Sequence, residues 1–226
     1  MKIKSVVIIG LGNIGFKYDL EIKNIIISHT KAILNHNGFN LISGIDENKK
    51  NRNIFEKKFN IKTYSSISEC FVNCNPDIVV ISSPAKTHYS LIKKIIEYGH
   101  SKLIICEKPF TDTYLESKKL LSILAKKNVK LIVNYTRRFN PAIIELKYII
   151  KKLITKDYFK GVVFYSKDLK ENGSHLIDLM IYFFGEVKSF EIINKKKINR
   201  ENYHFPDFLI SFLKADITFI NLANLE

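Results

Sequence analysis

The ten residues Val6-Val7-Ile8-Ile9-Gly10-Leu11-Gly12-Asn13-Ile14-Gly15 decide how the rest of the chain reads. Four β-branched residues run straight into three glycines at GxGxxG spacing, and helix-compatible sequence follows. That order predicts a buried strand, a tight turn and the start of a helix. The first glycine permits the turn, the second lets a pyrophosphate reach the backbone, and the third allows close strand–helix packing. Helix N-terminal amides then face the anion. Gly10, Gly12, Asn13, Ile14 and Gly15 are therefore the expected pyrophosphate-binding residues of a nicotinamide dinucleotide.

Outward from this turn, strand and helix signals alternate. Apolar runs at residues 40–45, 78–82, 103–106 and Lys130–Asn134 are separated by helical stretches such as 68–74, 90–98 and 114–127. Alternation of this kind predicts an α/β fold with a doubly wound parallel sheet over residues 1–134, and continuously apolar strands fit a sheet covered on both faces. After Asn134 the rhythm changes. A helix over Pro141–Leu153 is started by Asn140-Pro141, with Pro favoured in the first turn. A strand at 161–167, a helix over Ser174–Phe184 and strands at 187–194, 208–213 and 216–222 follow. Residues 135–226 thus read as a smaller α+β domain with a mainly antiparallel sheet.

Asp46 closes the second strand, where a carboxylate accepts from the ribose hydroxyls and repels a 2′-phosphate. It favours NAD, while Lys49, Lys50 and Arg52 nearby keep NADP open. The acid usually follows the glycines by about 20 residues; here residues 16–28 lengthen the first crossover. That stretch reads either as a loop over cofactor or substrate, with Tyr18 and Asp19 in play, or as a plain solvent loop.

The formal charge is +14, and 32 of the 36 basic residues are Lys, spread along the whole chain. Nucleic-acid binding concentrates Arg and aromatics on one element, so no nucleic acid is expected. The tight run Lys195-Lys196-Lys197 reads as a solvated loop. No apolar run reaches the roughly 18 residues of a membrane span, and no cleavage site follows the apolar start, so a cytoplasmic protein is expected. Cys70, Cys74 and Cys106 lack a second ligand pair at zinc spacing and read as reduced thiols; no metal is expected.

Three further strings stand at or near predicted strand ends: Ser83-Pro84-Ala85-Lys86-Thr87-His88, Cys106-Glu107-Lys108-Pro109 and Gly173-Ser174-His175-Leu176-Ile177-Asp178. In this order behind a GxGxxG turn, the chain resembles the glucose–fructose oxidoreductase and inositol dehydrogenase (Gfo/Idh/MocA) family, from residue 1 to about 190. The resemblance implies a Rossmann domain, an α/β domain whose sheet mediates homo-oligomerisation, and hydride transfer at a secondary hydroxyl or ketone of a sugar, polyol or nucleotide-sugar. It implies that Lys108 lies at the nicotinamide, that His175 accepts the hydroxyl proton, and that Pro84, Thr87 and His88 line the nicotinamide ribose, with Glu107 beside the cofactor. An imidazole of ordinary pKa near ~6.5 suits proton removal from an alcohol, and a nearby ammonium stabilises a developing alkoxide.

Asp178 lies one helical turn after His175 and is expected to bond the histidine or a substrate hydroxyl, or to act structurally. Glu171 stands where many members carry a substrate-contacting Asp, with Asn172 next to it. Of Arg137 and Arg138, one is expected to bind an anionic group of the substrate, taken as Arg138, and the other to form a structural salt bridge. His29, His36, His100 and His204 carry no spacing argument and read as surface or loop residues. The chain stops at Glu226 with four expected strands, short of the family's usual second domain. A natural minimal enzyme, a truncated product and half of a split enzyme all fit. The alternative to an enzyme is a non-catalytic or truncated dinucleotide-binding protein.

Overall fold

The computed structural model describes residues 2–22, 24–99, 101–196 and 205–222. His100, Lys197, His204 and the terminal Glu226 lie outside the described residues. The chain divides into two compact units, Met1–Asn134 and Tyr135–Glu226.

In the first unit, β1 (Lys4–Ile9), β2 (Phe39–Ile45), β3 (Thr63–Tyr64), β4 (Ile78–Ile81), β5 (Leu103–Glu107) and β6 (Lys130–Asn134) form one sheet in the order β3-β2-β1-β4-β5-β6. Every pairing in it is parallel. Alternation along β1 serves two cores: Val7 and Ile9 pack with Ile45, Val79 and Ile81, whereas Val6 and Ile8 pack with Leu41, Ile78 and Val80. Both faces are covered, which is why the strand is apolar at successive positions. The strand order reverses between β1 and β4, opening a crevice at the carboxyl ends of those strands.

Five helices cover the sheet: α1 (His29–Leu34), α2 (Lys49–Phe59), α3 (Ile67–Asn73), α4 (His88–Tyr98) and α5 (Tyr114–Lys126). Side chains of Ser28, Asn48, Ser66 and Thr113 accept from first-turn amides of α1, α2, α3 and α5, and Thr113 with Glu116 completes a capping box. The hydrophobic pattern does not announce α2, because Phe55 is its one buried residue. β3 is missed because it is two residues long.

The first crossover departs from expectation. A single π-helical turn, Asn13–Lys17, stands where a regular helix was predicted. Phe16 N and Lys17 N both donate to Gly12 O, at 3.0 and 3.3 Å. The wider turn buries Phe16, whose ring meets Phe55 edge-on at 5.3 Å. The following stretch is folded on itself: the buried Asp19 carboxylate accepts from Ile27 N at 2.6 Å and Ser28 N at 2.8 Å. Lys31 Nζ donates to the carbonyls of Ile22 and Ile25. Tyr18 is exposed. Thr30 Oγ1 then donates to Gly15 O at 2.8 Å, tying α1 to the glycine turn.

The second unit contains α6 (Pro141–Leu153), β7 (Phe159–Tyr165), α7 (Ser174–Phe184), β8 (Val187–Lys196), β9 (Phe205–Phe212) and β10 (Ala215–Asn221). Asn140 caps α6 by accepting from Ala142 N at 2.9 Å, with Pro141 in the first turn. The sheet runs β7-β10-β9-β8, with β10 parallel to β7 and the other two pairings antiparallel. Phe208, Ile210, Phe212, Ile217 and Phe219 form its core, against which α7 packs Leu176, Ile177, Met180 and Phe184. Lys195 and Lys196, expected in a loop, instead end β8 opposite Pro206 and Phe205. Among the described residues no helix is long and apolar enough to cross a membrane.

Candidate dinucleotide-binding site

Gly10 has φ +94° and donates its N–H to Ile45 O at 2.8 Å, so the chain turns where β1 meets β2. A Cβ there would lie 2.6 Å from Ser83 N and 2.8 Å from Ser82 C. A Cβ on Gly15 would collide with Gly10 O, the carbonyl to which Ser82 Oγ donates at 2.7 Å. Gly12 differs, for nothing lies within 4 Å of its Cβ position. It faces a cleft of about 420 Å³ lined by Gly10, Gly12, Asp46, Ser66, Ser83 and Thr87 among others. The glycines thus fall into two kinds. Gly10 and Gly15 let backbone pack on backbone, and Gly12 keeps a space open that a side chain would fill. Asn13 is exposed and Ile14 half-buried in the turn that follows.

Asp46 stands on the same cleft. Its Oδ2 accepts from Leu11 N at 2.7 Å and Asn51 Nδ2 at 3.1 Å, and its Oδ1 accepts from Asn48 N at 2.8 Å. The carboxylate is therefore fixed against the glycine turn. Lys17 Nζ donates to Asn51 Oδ1 at 2.6 Å. Arg52 donates to the carbonyls of Asp46 and Glu47, at 2.7 and 2.9 Å, so its guanidinium clamps the strand end. An open space at Gly12 and an oriented acceptor at Asp46 fit a dinucleotide's pyrophosphate and ribose.

Pro84 and Thr87 line the cleft as well, and Thr87 Oγ1 pairs with Ser83 Oγ at 2.7 Å. His88 takes another place. It is wholly buried, with Nε2 2.9 Å from Ser83 O and Nδ1 3.0 and 3.2 Å from Pro109 O and Phe110 O. Its ring bridges the segments that follow β4 and β5 and is not part of the cleft lining. Beside it, burial pushes the Cys106 thiol up to about 12, which removes the thiolate character that reactivity requires.

Glu107 ends β5, and the chain then turns through a cis peptide between Lys108 and Pro109. The Glu107 carboxylate points into protein: Oε1 accepts from Asn134 Nδ2 at 2.6 Å and lies 2.8 Å from His29 Nε2. Burial by itself pushes this carboxyl up, but the bonds from His29 and Asn134 outweigh it and hold it below the ordinary glutamate range. His29, expected at the surface or in a loop, is half-buried against Glu107. Nothing in the sequence marks that pairing, since the partners come from opposite ends of the unit.

In the second unit a π-helical turn, Leu169–Gly173, carries exposed Glu171 and half-buried Asn172 and leads into α7. His175 stands in the first turn of α7, its ring edge-on to Tyr135 at 5.8 Å. Burial and then the Asp178 charge push the Tyr135 hydroxyl up. Arg137 Nη2 donates to Asn172 Oδ1 at 3.4 Å. Arg138, expected at the substrate, and Asp178, expected to bond His175 or a substrate hydroxyl or to act structurally, are engaged with each other. Nε donates to Oδ2 at 2.7 Å and Nη2 to Oδ1 at 2.5 Å, a two-pronged pair that ties the segment before α6 to α7. The planar guanidinium matches a carboxylate in this way, which explains the preference for each other. Among the described residues no three His, Cys, Asp or Glu side chains cluster as metal ligands.

The chain is similar to several known proteins. An uncharacterized oxidoreductase of Schizosaccharomyces pombe is 33% identical over 144 residues, which is 56% of this chain and 38% of that protein. The scyllo-inositol 2-dehydrogenase (NADP(+)) of Bacillus subtilis is 25% identical over 150 residues, 58% of this chain and 41% of the enzyme. The matches thus span about two fifths of these relatives or less. In fold, the WlbA dehydrogenase of Bordetella pertussis, solved with NADH and UDP-GlcNAcA, superposes with a TM-score of 0.79 at 18% identity, covering 97% of this chain and 67% of that one. The model of the oxidoreductase family with an NAD-binding Rossmann fold matches residues 4–135. The chain therefore belongs to the Gfo/Idh/MocA oxidoreductase family, whose NAD-binding Rossmann fold its first unit carries.

Proposed function

We propose that this chain is an NAD(P)-dependent oxidoreductase that moves a hydride between nicotinamide and a secondary hydroxyl or ketone of a sugar, polyol or nucleotide-sugar. The observation that carries the reading is the cleft onto which Gly12 opens, with the fixed Asp46 carboxylate on its wall. In this reading the amides after Gly12 hold the pyrophosphate, with Gly10, Asn13, Ile14 and Gly15 shaping the turn. Asp46 accepts from the ribose, which favours NAD, and Pro84 and Thr87 line the far ribose. The cofactor supplies the hydride chemistry when bound.

Lys108 hydrogen-bonds the reacting oxygen and stabilises it as its charge grows. His175 takes the hydroxyl proton during oxidation and returns it during reduction. Glu171 and Asn172, on the turn before His175, orient the substrate. Relatives named as scyllo-inositol and D-xylose dehydrogenases support the sugar-like substrate class. The second sheet, with Val162 and Phe164 exposed on β7, is the surface through which copies of the chain would associate.

The test is His175→Ala. Turnover across a panel of polyols, sugars and nucleotide-sugars falls ~10²–10⁴-fold, while NADH affinity stays within about twofold. An unchanged rate removes His175 from the reaction. The family match, which covers the NAD-binding Rossmann unit at residues 4–135, favours a second reading, a dinucleotide-binding protein without turnover. That reading predicts saturable NADH binding by the wild type with no oxidation or reduction of any panel member.

A further inference from the structure

Two neighbouring residues at the start of α1 reach in different directions. Thr30 Oγ1 donates to Gly15 O at 2.8 Å, inside the glycine turn. His29 Nε2 lies 2.8 Å from Glu107 Oε1, one residue before Lys108. Both contacts are shielded: Thr30 is fully buried, and the His29 and Glu107 side chains are 14% and 16% exposed. The helix start that carries them is itself fixed. Ser28 caps it, and the buried Asp19 carboxylate holds the amides of Ile27 and Ser28.

We infer that His29 is a positioning residue, which through Glu107 fixes the Lys108 turn at the nicotinamide end of the site. The inference rests on the oxidoreductase reading above. It also gives the long first crossover a purpose: that stretch delivers the start of α1 to a point from which both ends of the site are gripped.

The chemistry is one-directional. Glu107 is held ionised, so its carboxylate has no proton to give, and His29 Nε2 must donate. Asn134 Nδ2 supplies the second N–H to the same oxygen at 2.6 Å. Two donors from different elements leave the carboxylate one orientation. Without His29, a buried carboxylate loses one of these donors, and such a group rotates toward water or takes up a proton. Either response moves the backbone that leads directly into Lys108. Thr30 bonds Gly15 and so acts on the glycine-turn end.

The experiment compares two ligands that differ at the nicotinamide. NADH and ADP-ribose share the adenosine, pyrophosphate and distal ribose, and only NADH reaches the Lys108 turn. Dissociation constants for both are measured on wild type, His29→Ala, His29→Gln and Thr30→Val, with circular dichroism confirming the fold. The wild type prefers NADH. His29→Ala loses most of that preference while its ADP-ribose affinity stays within twofold, and turnover falls about tenfold with any substrate the panel identifies. His29→Gln, which keeps a donor at similar reach, restores both. Thr30→Val does the reverse, weakening the two ligands together. Equal weakening of both ligands in His29→Ala overturns the inference, as does an NADH preference equal to wild type. Failure of the wild type to bind either ligand overturns the oxidoreductase reading itself.

Discussion

Leu11 N donates to Asp46 Oδ2 at 2.7 Å, so the acid that closes β2 is bonded directly to the glycine turn that closes β1. The same carboxylate is therefore both a piece of the turn and an acceptor facing the cleft. Asp46→Ala removes both roles. A hydrogen bond to a charged group is worth about 1.5–3 kcal/mol, so NADH affinity falls roughly 10- to 100-fold, since about 1.4 kcal/mol is tenfold. NADPH loses less, because its 2′-phosphate also escapes a repulsive carboxylate. Parallel fluorescence titrations of the two cofactors check this; an equal loss for both assigns Asp46 to the turn alone.

Gly10 and Gly12 are predicted to fail in opposite ways. Gly10→Ala puts a Cβ 2.6 Å from Ser83 N at a φ of +94°. Overpacking of this kind costs about 1–3 kcal/mol before backbone strain is added. Thermal unfolding shifts down by roughly 2–4 °C per kcal/mol for a chain of this size. Gly12→Ala meets no atom, so its melting temperature stays near wild type while NADH binding is lost. A melting curve and a binding curve on each variant suffice.

Arg138 and Asp178 form a two-pronged ion pair. Asp178 is buried, whereas the Arg138 side chain is 35% exposed. Breaking a fully buried pair costs about 3–5 kcal/mol; with this exposure the expected loss is about 2 kcal/mol. A double-mutant cycle of Arg138→Ala and Asp178→Ala, read by urea unfolding, should give a coupling of about 0.5–3 kcal/mol. A coupling of zero returns Arg138 to the list of substrate contacts.

Glu107 also sets a pH dependence. Its carboxyl is held below the ordinary value of 4.5, because bonds from His29 and Asn134 outweigh burial. A depressed carboxyl contributes stability that is fully present above that value. The contribution is lost as pH falls through the lower folded value. Unfolding midpoints of wild type and Glu107→Gln between neutral and acidic pH should differ most near neutrality and converge in acid. A constant gap across the range contradicts the prediction.

The parallel sheet is legible in the sequence because β1 and β4 are buried on both faces and therefore apolar at successive positions. The glycine turn is legible because φ at Gly10 and the packing at Gly15 demand residues without a Cβ. Strand-end motifs locate Lys108 and His175 at the ends of elements, where they indeed stand. What escapes the sequence is pairing across distance. His88, read as ribose-lining, is enclosed by carbonyls of Ser83, Pro109 and Phe110. Arg138 and Asp178 each look available until the fold brings them together. The π-helical turn at Asn13–Lys17 is also hidden, since its cause is the burial of Phe16 against Phe55 and Phe59, residues of a later helix.

The order β7-β10-β9-β8 places the last described strand inside its sheet, with Phe159 of β7 beside Ala215 of β10. β7 has no partner in this sheet until β10 arrives, whereas β8 and β9 are sequence neighbours. The β7–β10 pairing joins strands separated by α7, β8 and β9 in sequence, whereas β8–β9 and β9–β10 join sequence neighbours. Such non-local closure is slow relative to local pairing. Any shortening that removes β10 would abolish two seams at once, the one with β7 and the one with β9, and bare an apolar edge on each of those strands.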